Sequence, residues 1–300
     1  MIFYINSFLY TFTKFMISLF NIFYLKYFFS FKNNLLELKI NKKGKNIFIL
    51  GSGTSINKIS EIQWEKIKNH TSIGINYFIL NKFVPDIIQL ELQSLDDRHL
   101  DNLINIISIR QNEFKNSQIL IKSNYLSLSS ARKRLRFFKS IPRSLLPNLK
   151  FSIDFPVFGK NKVEFNKTLK MLKFLGILNL KSLLLIPHLR ASIGFSCVLA
   201  SRLNFNKIIF AGVDLNHTKY FFQKKIELFE RQYKINKDYF MKNVFSKNKD
   251  KNHLTNDESL HEITIIVALI LFLKNSKTKS QIYTFSDESA LYPKFKKFLI

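Results

Sequence analysis

"NIFILGSGTSIN", residues 46–57, joins a short apolar run to a turn holding Gly51 and Gly53, two of only 8 glycines in the chain. Such a run closed by glycine reads as a buried strand entering a tight turn. Glycine there lets the backbone bend and come close to a ligand. The amides of Gly51, Ser52, Gly53, Thr54 and Ser55, with a helix behind them, could then hold a phosphate. No Lys-Ser/Thr pair and no third glycine follow, so the stretch is neither a Walker loop nor a G-x-G-x-x-G fingerprint. A purely structural turn fits it equally well.

Outward from this point the pattern alternates. Ser60 and Gln63 in "SEIQWEKIKN" are spaced as a capping box. Strands are expected at 71–76, 86–92, 118–122, 182–186, 207–214 and 281–285. Helices are expected at 96–112, 131–143, 164–176, 190–204 and about 259–274, with a short one at the C-terminus. Residues 123–180 are otherwise hard to place. The alternation predicts an α/β protein with a mostly parallel sheet and helices on both faces. Residues 1–43 form an apolar helical segment, and 44–300 the α/β domain, with a long, highly charged insertion at about 216–258.

Of the 300 residues 46% are apolar, which suits a globular protein, and 47 Lys+Arg against 21 Asp+Glu give a formal charge of +26. A biased genome would enrich Lys, Asn, Ile and Phe together; the charge still favours anionic membranes or phosphorylated ligands. Lysines scattered along the chain, rather than set in one stripe, argue against nucleic acid. The single cysteine, Cys197, excludes an intrachain disulfide and a thiolate metal site, and it sits in an apolar helical run as a core residue would.

Residues 1–31 carry only Lys14 and Lys26 as charges. Ser7, Thr11, Lys14, Ser18 and Asn21 recur at steps of four and three, one polar stripe on an apolar helix. The stripe predicts a helix lying in a membrane interface, polar side to water, rather than a span with Lys14 at mid-bilayer. The same helix could instead pack on the protein's own core or a second subunit.

Ligands of doubly wound sheets sit at the carboxyl ends of strands. Besides the glycine turn, two such ends stand out. Asn76 could read a sugar or phosphate, or cap a helix; Asp214, before Asn216 and His217, could hold a ribose, or cap. His261 heads the apolar helix "ITIIVALILFLK", where it could take a proton from a hydroxyl or simply cap. No histidine–carboxylate cluster has metal-ligand spacing. The basic segment 131–143 could meet phosphates or lipid, or be a solvated face.

In order, "IFILGSGTSI", "IGINYF", "RASIGFSCVLASRLNFNKIIFAGVDL" and the His261 helix followed by "QIYTF" resemble the bacterial sialyltransferases of glycosyltransferase family 42, over most of 46–295. The resemblance implies a GT-A-like Rossmann domain with a mobile lid and a CMP-sugar donor. It implies inversion without metal or cofactor, and a lipooligosaccharide or polysaccharide acceptor. It places Gly51–Ser55 around CMP, Asn76 at the donor phosphate, Arg190 near the reaction and Gly194 by the nucleotide. It places Asp214 on a Gly-Ile-Asp segment, Tyr220 as a phosphate-stabilising tyrosine and His261 as general base, with His253 its rival. Three positions depart from the family. Ser52 stands where it has asparagine, Asn216 where it has a second tyrosine, and Glu91 or Leu92 where it has another asparagine. Another CMP-activated acidic sugar such as Kdo is therefore compatible. An enzyme on the cytoplasmic face of the inner membrane, peripheral or N-terminally anchored, follows from the resemblance and the basic, apolar surface, with homo-oligomers allowed. The rivals are a pyrophosphokinase-like enzyme using Asp214 for metal, and a non-catalytic basic membrane- or RNA-binding protein.

Overall fold

The computed structural model describes residues 2–28, 40–92, 97–123, 128–245, 253–258 and 262–300. Eight strands form one all-parallel sheet: β1 (Asn46–Leu50), β2 (Thr71–Ile75), β3 (Ile87–Glu91), β4 (Gln118–Ser123), β5 (Leu149–Pro156), β6 (Leu185–His188), β7 (Lys207–Ala211) and β8 (Gln281–Thr284). The helices are α1 (Ile2–Phe28), α2 (Glu61–Lys68), α3 (Asp97–Ile109), α4 (Gln111–Phe114), α5 (Leu128–Ser140), α6 (Lys162–Phe174), α7 (Ser192–Arg202), α8 (Ile226–Tyr233), α9 (Lys237–Tyr239) and α10 (Ile265–Asn275).

The spatial order is β6-β5-β4-β3-β2-β1-β7-β8. The chain steps outward from β1 to β6, then crosses back to place β7 against the other side of β1. The direction of winding therefore reverses between β1 and β7, where a doubly wound sheet opens its crevice. Alternation along the strands fills both faces. Ile47 and Ile49 pack towards α1, α6, α7 and α10, whereas Phe48 and Leu50 pack towards α2, α3, α5 and α8.

Several expectations hold. Ser60 and Gln63 close a capping box at α2. Asp97 opens α3, but its partners Lys133 (3.3 Å) and Arg136 (3.9 Å) show how the basic segment is used. With Arg136 also 2.5 Å from Asp101, that segment braces α3. Strand β5 lay unplaced within 123–180. The C-terminal helix is absent among the described residues, where 286–295 form turns instead.

The N-terminal helix reverses its predicted orientation. It packs on β5 and α6, and the polar stripe faces inward. Ser7 Oγ donates to Glu164 Oε2 (2.7 Å), and Thr11 Oγ1 accepts from the Phe158 amide (3.0 Å). Ser18 Oγ reaches the Asp154 carbonyl (3.5 Å), and Phe15 meets Phe155 edge-on at 5.3 Å. β5, α6 and the segment between them offer buried polar groups, and short hydroxyls satisfy them; periodicity alone could not tell this from water. Among the described residues no helix is long and apolar enough to cross a membrane.

Candidate functional site

A cavity of about 640 Å³ opens at the carboxyl ends of the strands, over the β1/β7 reversal. Of the residues singled out in the sequence, Gly51, Ser52, Gly53, Asn76, Glu91, Arg190, Asp214 and Tyr220 line it, whereas Thr54, Ser55, Gly194 and Asn216 do not. Lys122, His188, His217, Tyr239 and His253 line it too.

The glycine turn is built to join two strand ends. The Gly51 amide donates to Ala211 O (2.8 Å) and the Gly53 amide to Gly212 O (2.7 Å). A Cβ on Gly51 would collide with Gly212 O, and Gly212, at φ +67°, would drive its own into Ile56. The Ser55 amide (3.1 Å) and the Thr54 hydroxyl (3.2 Å) both donate to Asp214 Oδ2, and Ser55 Oγ donates to Oδ1. The amides of Gly51, Gly53 and Ser55 are thus engaged within the protein, and a phosphate cradle cannot be made from them. A five-residue 3-10 turn, Thr54–Lys58, follows instead of an α-helix. Gly51, Ser52 and Gly53 are the part of the loop that reaches the cavity, and the Ser52 carbonyl accepts from the Phe221 amide (3.0 Å), fixing the segment that carries Tyr220. Asp214 is buried and serves as the anchor of this loop, with His217 Nε2 3.6 Å away.

Among the described residues five non-glycine residues have positive φ, and three of them, Asn76 (49°), Arg190 (67°) and Leu215 (62°), lie in the cavity wall. Left-handed backbone is costly for such residues and gathers where geometry serves a ligand. Asn76 Oδ1 accepts the Glu91 amide (3.0 Å) and ties β2 to β3. Arg190 sits on the turn between β6 and α7, its guanidinium pKa lowered by burial. Gly194 is not in the wall; its bare Cα lies against the Leu189 carbonyl, letting α7 begin tightly. Asn216 is turned away, donating to Glu288 O (2.7 Å). Leu92 is buried in the α3-side core.

The far end of the cavity holds a charge cluster spread over four strand ends. Lys122, 2% exposed, is ion-paired with Glu91 and lies 3.6 Å from Asp154 Oδ2. His188 Nδ1 approaches that oxygen at 3.1 Å, and His188 Nε2 is 3.4 Å from Lys122 Nζ. Burial would raise both carboxyls, yet Lys122 and His188 outweigh it and hold Glu91 and Asp154 below the usual carboxylate range. Burial would lower Lys122, but the two carboxylates hold it above the ordinary lysine value. The pattern is legible only in space, because its members lie on β3, β4, β5 and β6.

Tyr220 and Tyr239 close the cavity from the insertion, and burial, then the neighbouring Tyr239, raises the Tyr220 phenol. Tyr239 leads into a π-helical turn, Phe240–Val244. His99 also reaches the wall but is held by the Tyr77 hydroxyl (2.7 Å) and Glu91 O (2.9 Å), a structural histidine. The His253 amide donates to Leu215 O (3.0 Å). His261 lies outside the described residues. Among the described residues no group of three or more His, Cys, Asp or Glu could hold a metal ion. No protein-family model matches the chain, and no curated protein shows significant similarity to it.

Proposed function

We propose that the chain is an inverting, metal-independent glycosyltransferase with a GT-A-like site, moving sialic acid or a related acidic sugar from a CMP donor to a surface glycan. What carries this reading is the convergence of Ser52, Asn76, Arg190, Tyr220 and Tyr239 on one cavity at the winding reversal. Hydroxyl, amide and guanidinium groups can meet the charge of a departing phosphate without a resident cation. In this reading Tyr239, from the insertion, supplies the second phenol that Asn216 cannot.

The acceptor oxygen attacks the anomeric carbon, the bond to the CMP phosphate oxygen breaks, and the acceptor proton passes to a histidine. His261 is the base in this proposal. A second reading assigns the proton to His188, favoured by its 3.1 Å approach to Asp154, which holds Nδ1; it requires the acceptor to displace the Lys122 ammonium, 3.4 Å away, from Nε2. The test is release of CMP from a CMP-sugar in the presence of a chelator, beside thermal shifts with CMP, UDP, GDP and ADP compounds. Strict dependence on magnesium, or stabilisation by a purine nucleotide alone, would overturn the proposal. Loss of turnover in His261→Ala or His188→Ala, with the other active, decides the base.

A further inference from the structure

With its polar stripe against the sheet, α1 shows solvent an apolar ridge. Leu9, Met16, Phe20 and Phe23 are all exposed, and steps of seven, four and three residues align them along one side of the helix. Phe20 is 70% exposed and Phe23 59%. Neighbouring α6 extends the surface with Val163 and with Phe174, 90% exposed. Lys162, Lys167, Lys170 and Lys173 stand exposed among them. The only carboxylate in either helix is Glu164, which is buried and bonded to Ser7.

We propose that this α1–α6 face is a peripheral docking surface for an anionic lipid bilayer. The aromatic side chains enter the headgroup boundary, and the lysines, snorkelling on apolar stems, meet lipid phosphates. Charge selects this occupant over a second copy of the chain. A two-fold contact would set the four α6 lysines against themselves with no exposed carboxylate from either helix to pair them, whereas anionic headgroups supply that pairing throughout. The chain would lie on the bilayer rather than cross it, by the face opposite to the polar stripe.

The experiment is co-sedimentation of the full chain, without substrate, with vesicles of phosphatidylcholine alone or with about a third phosphatidylglycerol, a charged surface of the kind that attracts basic segments. Binding at least about tenfold stronger to the anionic vesicles is expected, weakened by salt. Phe20→Ser/Phe23→Ser and Lys170→Glu/Lys173→Glu should each reduce it about tenfold or more. Circular dichroism checks both folds; the lysine pair removes no packed group and keeps the test valid should the phenylalanine pair misfold. Equal binding to both vesicles, or none, overturns the proposal. So does a dimer in sedimentation equilibrium that Phe20→Ser/Phe23→Ser dissociates, which would make the face an interface between copies.

Discussion

Replacing Lys122 with methionine probes the charge cluster most directly. Methionine keeps nearly the length of the stem and removes only the ammonium. Asp154, itself buried, and Glu91, partly exposed, then lose their shared cation, which leaves His188 beside them and Ser192 bonded to Glu91. Breaking a buried ion pair from one side costs about 3–5 kcal/mol, and the partial exposure of Glu91 argues for the lower end. With an unfolding entropy of roughly 2.1 cal/mol/K per residue over the whole chain, the melting temperature should fall by about 5–8 °C. The pH dependence gives a sharper signature. In the native chain Glu91 and Asp154 are held low, so their contribution is present above the ordinary carboxylate range and lost as pH falls through their lowered values. Lys122 is held high, so its contribution is present below its ordinary value and lost only as pH rises through the raised one. Without the cation, burial acts unopposed by it and moves both carboxyls upward. The deficit of Lys122→Met should therefore be largest near neutrality and shrink as acid protonates them. Urea unfolding followed by Trp64, the single tryptophan, stacked 4.8 Å from Phe83, reads this at neutral and mildly acidic pH. A deficit below about 1 kcal/mol, the size of an exposed pair, or one that grows in acid, would refute the cluster as a buried ion network.

Tyr239→Phe should lower kcat for CMP-sugar cleavage by about a hundredfold, the loss seen for one transition-state donor, with the thermal midpoint unchanged. An unaffected kcat would remove Tyr239 from the phosphate site. Gly212→Ala places a side chain at φ +67° against Ile56 and should cost roughly 1–3 kcal/mol in urea unfolding. Ser60→Ala, at the α2 cap far from the cavity wall, should cost about 1 kcal/mol and leave nucleotide binding intact. Cys197, buried with its thiol pushed up to about 12, should resist a thiol reagent until the chain unfolds; labelling in the native state would show that α7 is not packed as described.

The elements most legible in the sequence were those whose pattern is local. The apolar run of β1, the capping box of Ser60 and Gln63, and the apolar body of α7 could be read from neighbours alone. β5 was missed because Lys150 and Ser152 interrupt its apolar residues; Ser152 is buried, its hydroxyl donating to Leu183 O (2.8 Å), a partner no periodicity contains. The stripe of α1 was recognised but its direction was not, since a hydroxyl faces water or a buried carbonyl with equal ease. Asn76, Arg190, Asp214 and Tyr220, all legible as strand-end or loop residues, line one cavity. Lys122, Asp154 and His188 were not legible, because each is an ordinary strand residue until β3 to β6 are laid side by side.

The glycine turn shows why that distinction matters for chemistry. In the sequence Gly51 and Gly53 fit an anion-binding turn and a structural turn equally well, and in the fold their amides close the seam between β1 and β7. The same seam presses Asp214 into the loop, where Ser55 and Thr54 hold both its oxygens. A carboxylate so engaged is poorly placed to take a metal, and it leaves the adjoining wall to Ser52 and the two tyrosines. Ser52 and Tyr220 stand by the winding reversal with Asp214 held inside the loop, while Arg190, on the turn after β6, stands with Glu91, Lys122 and His188 at the β3–β6 end. Lys122 is already paired with Glu91 and Asp154, so a nucleotide phosphate reaching that end of the cavity would be met by Arg190 and repelled by Glu91. On that reasoning Arg190→Ala should weaken nucleotide binding far more than Glu91→Gln; the reverse order in a titration with CMP would place the phosphate elsewhere.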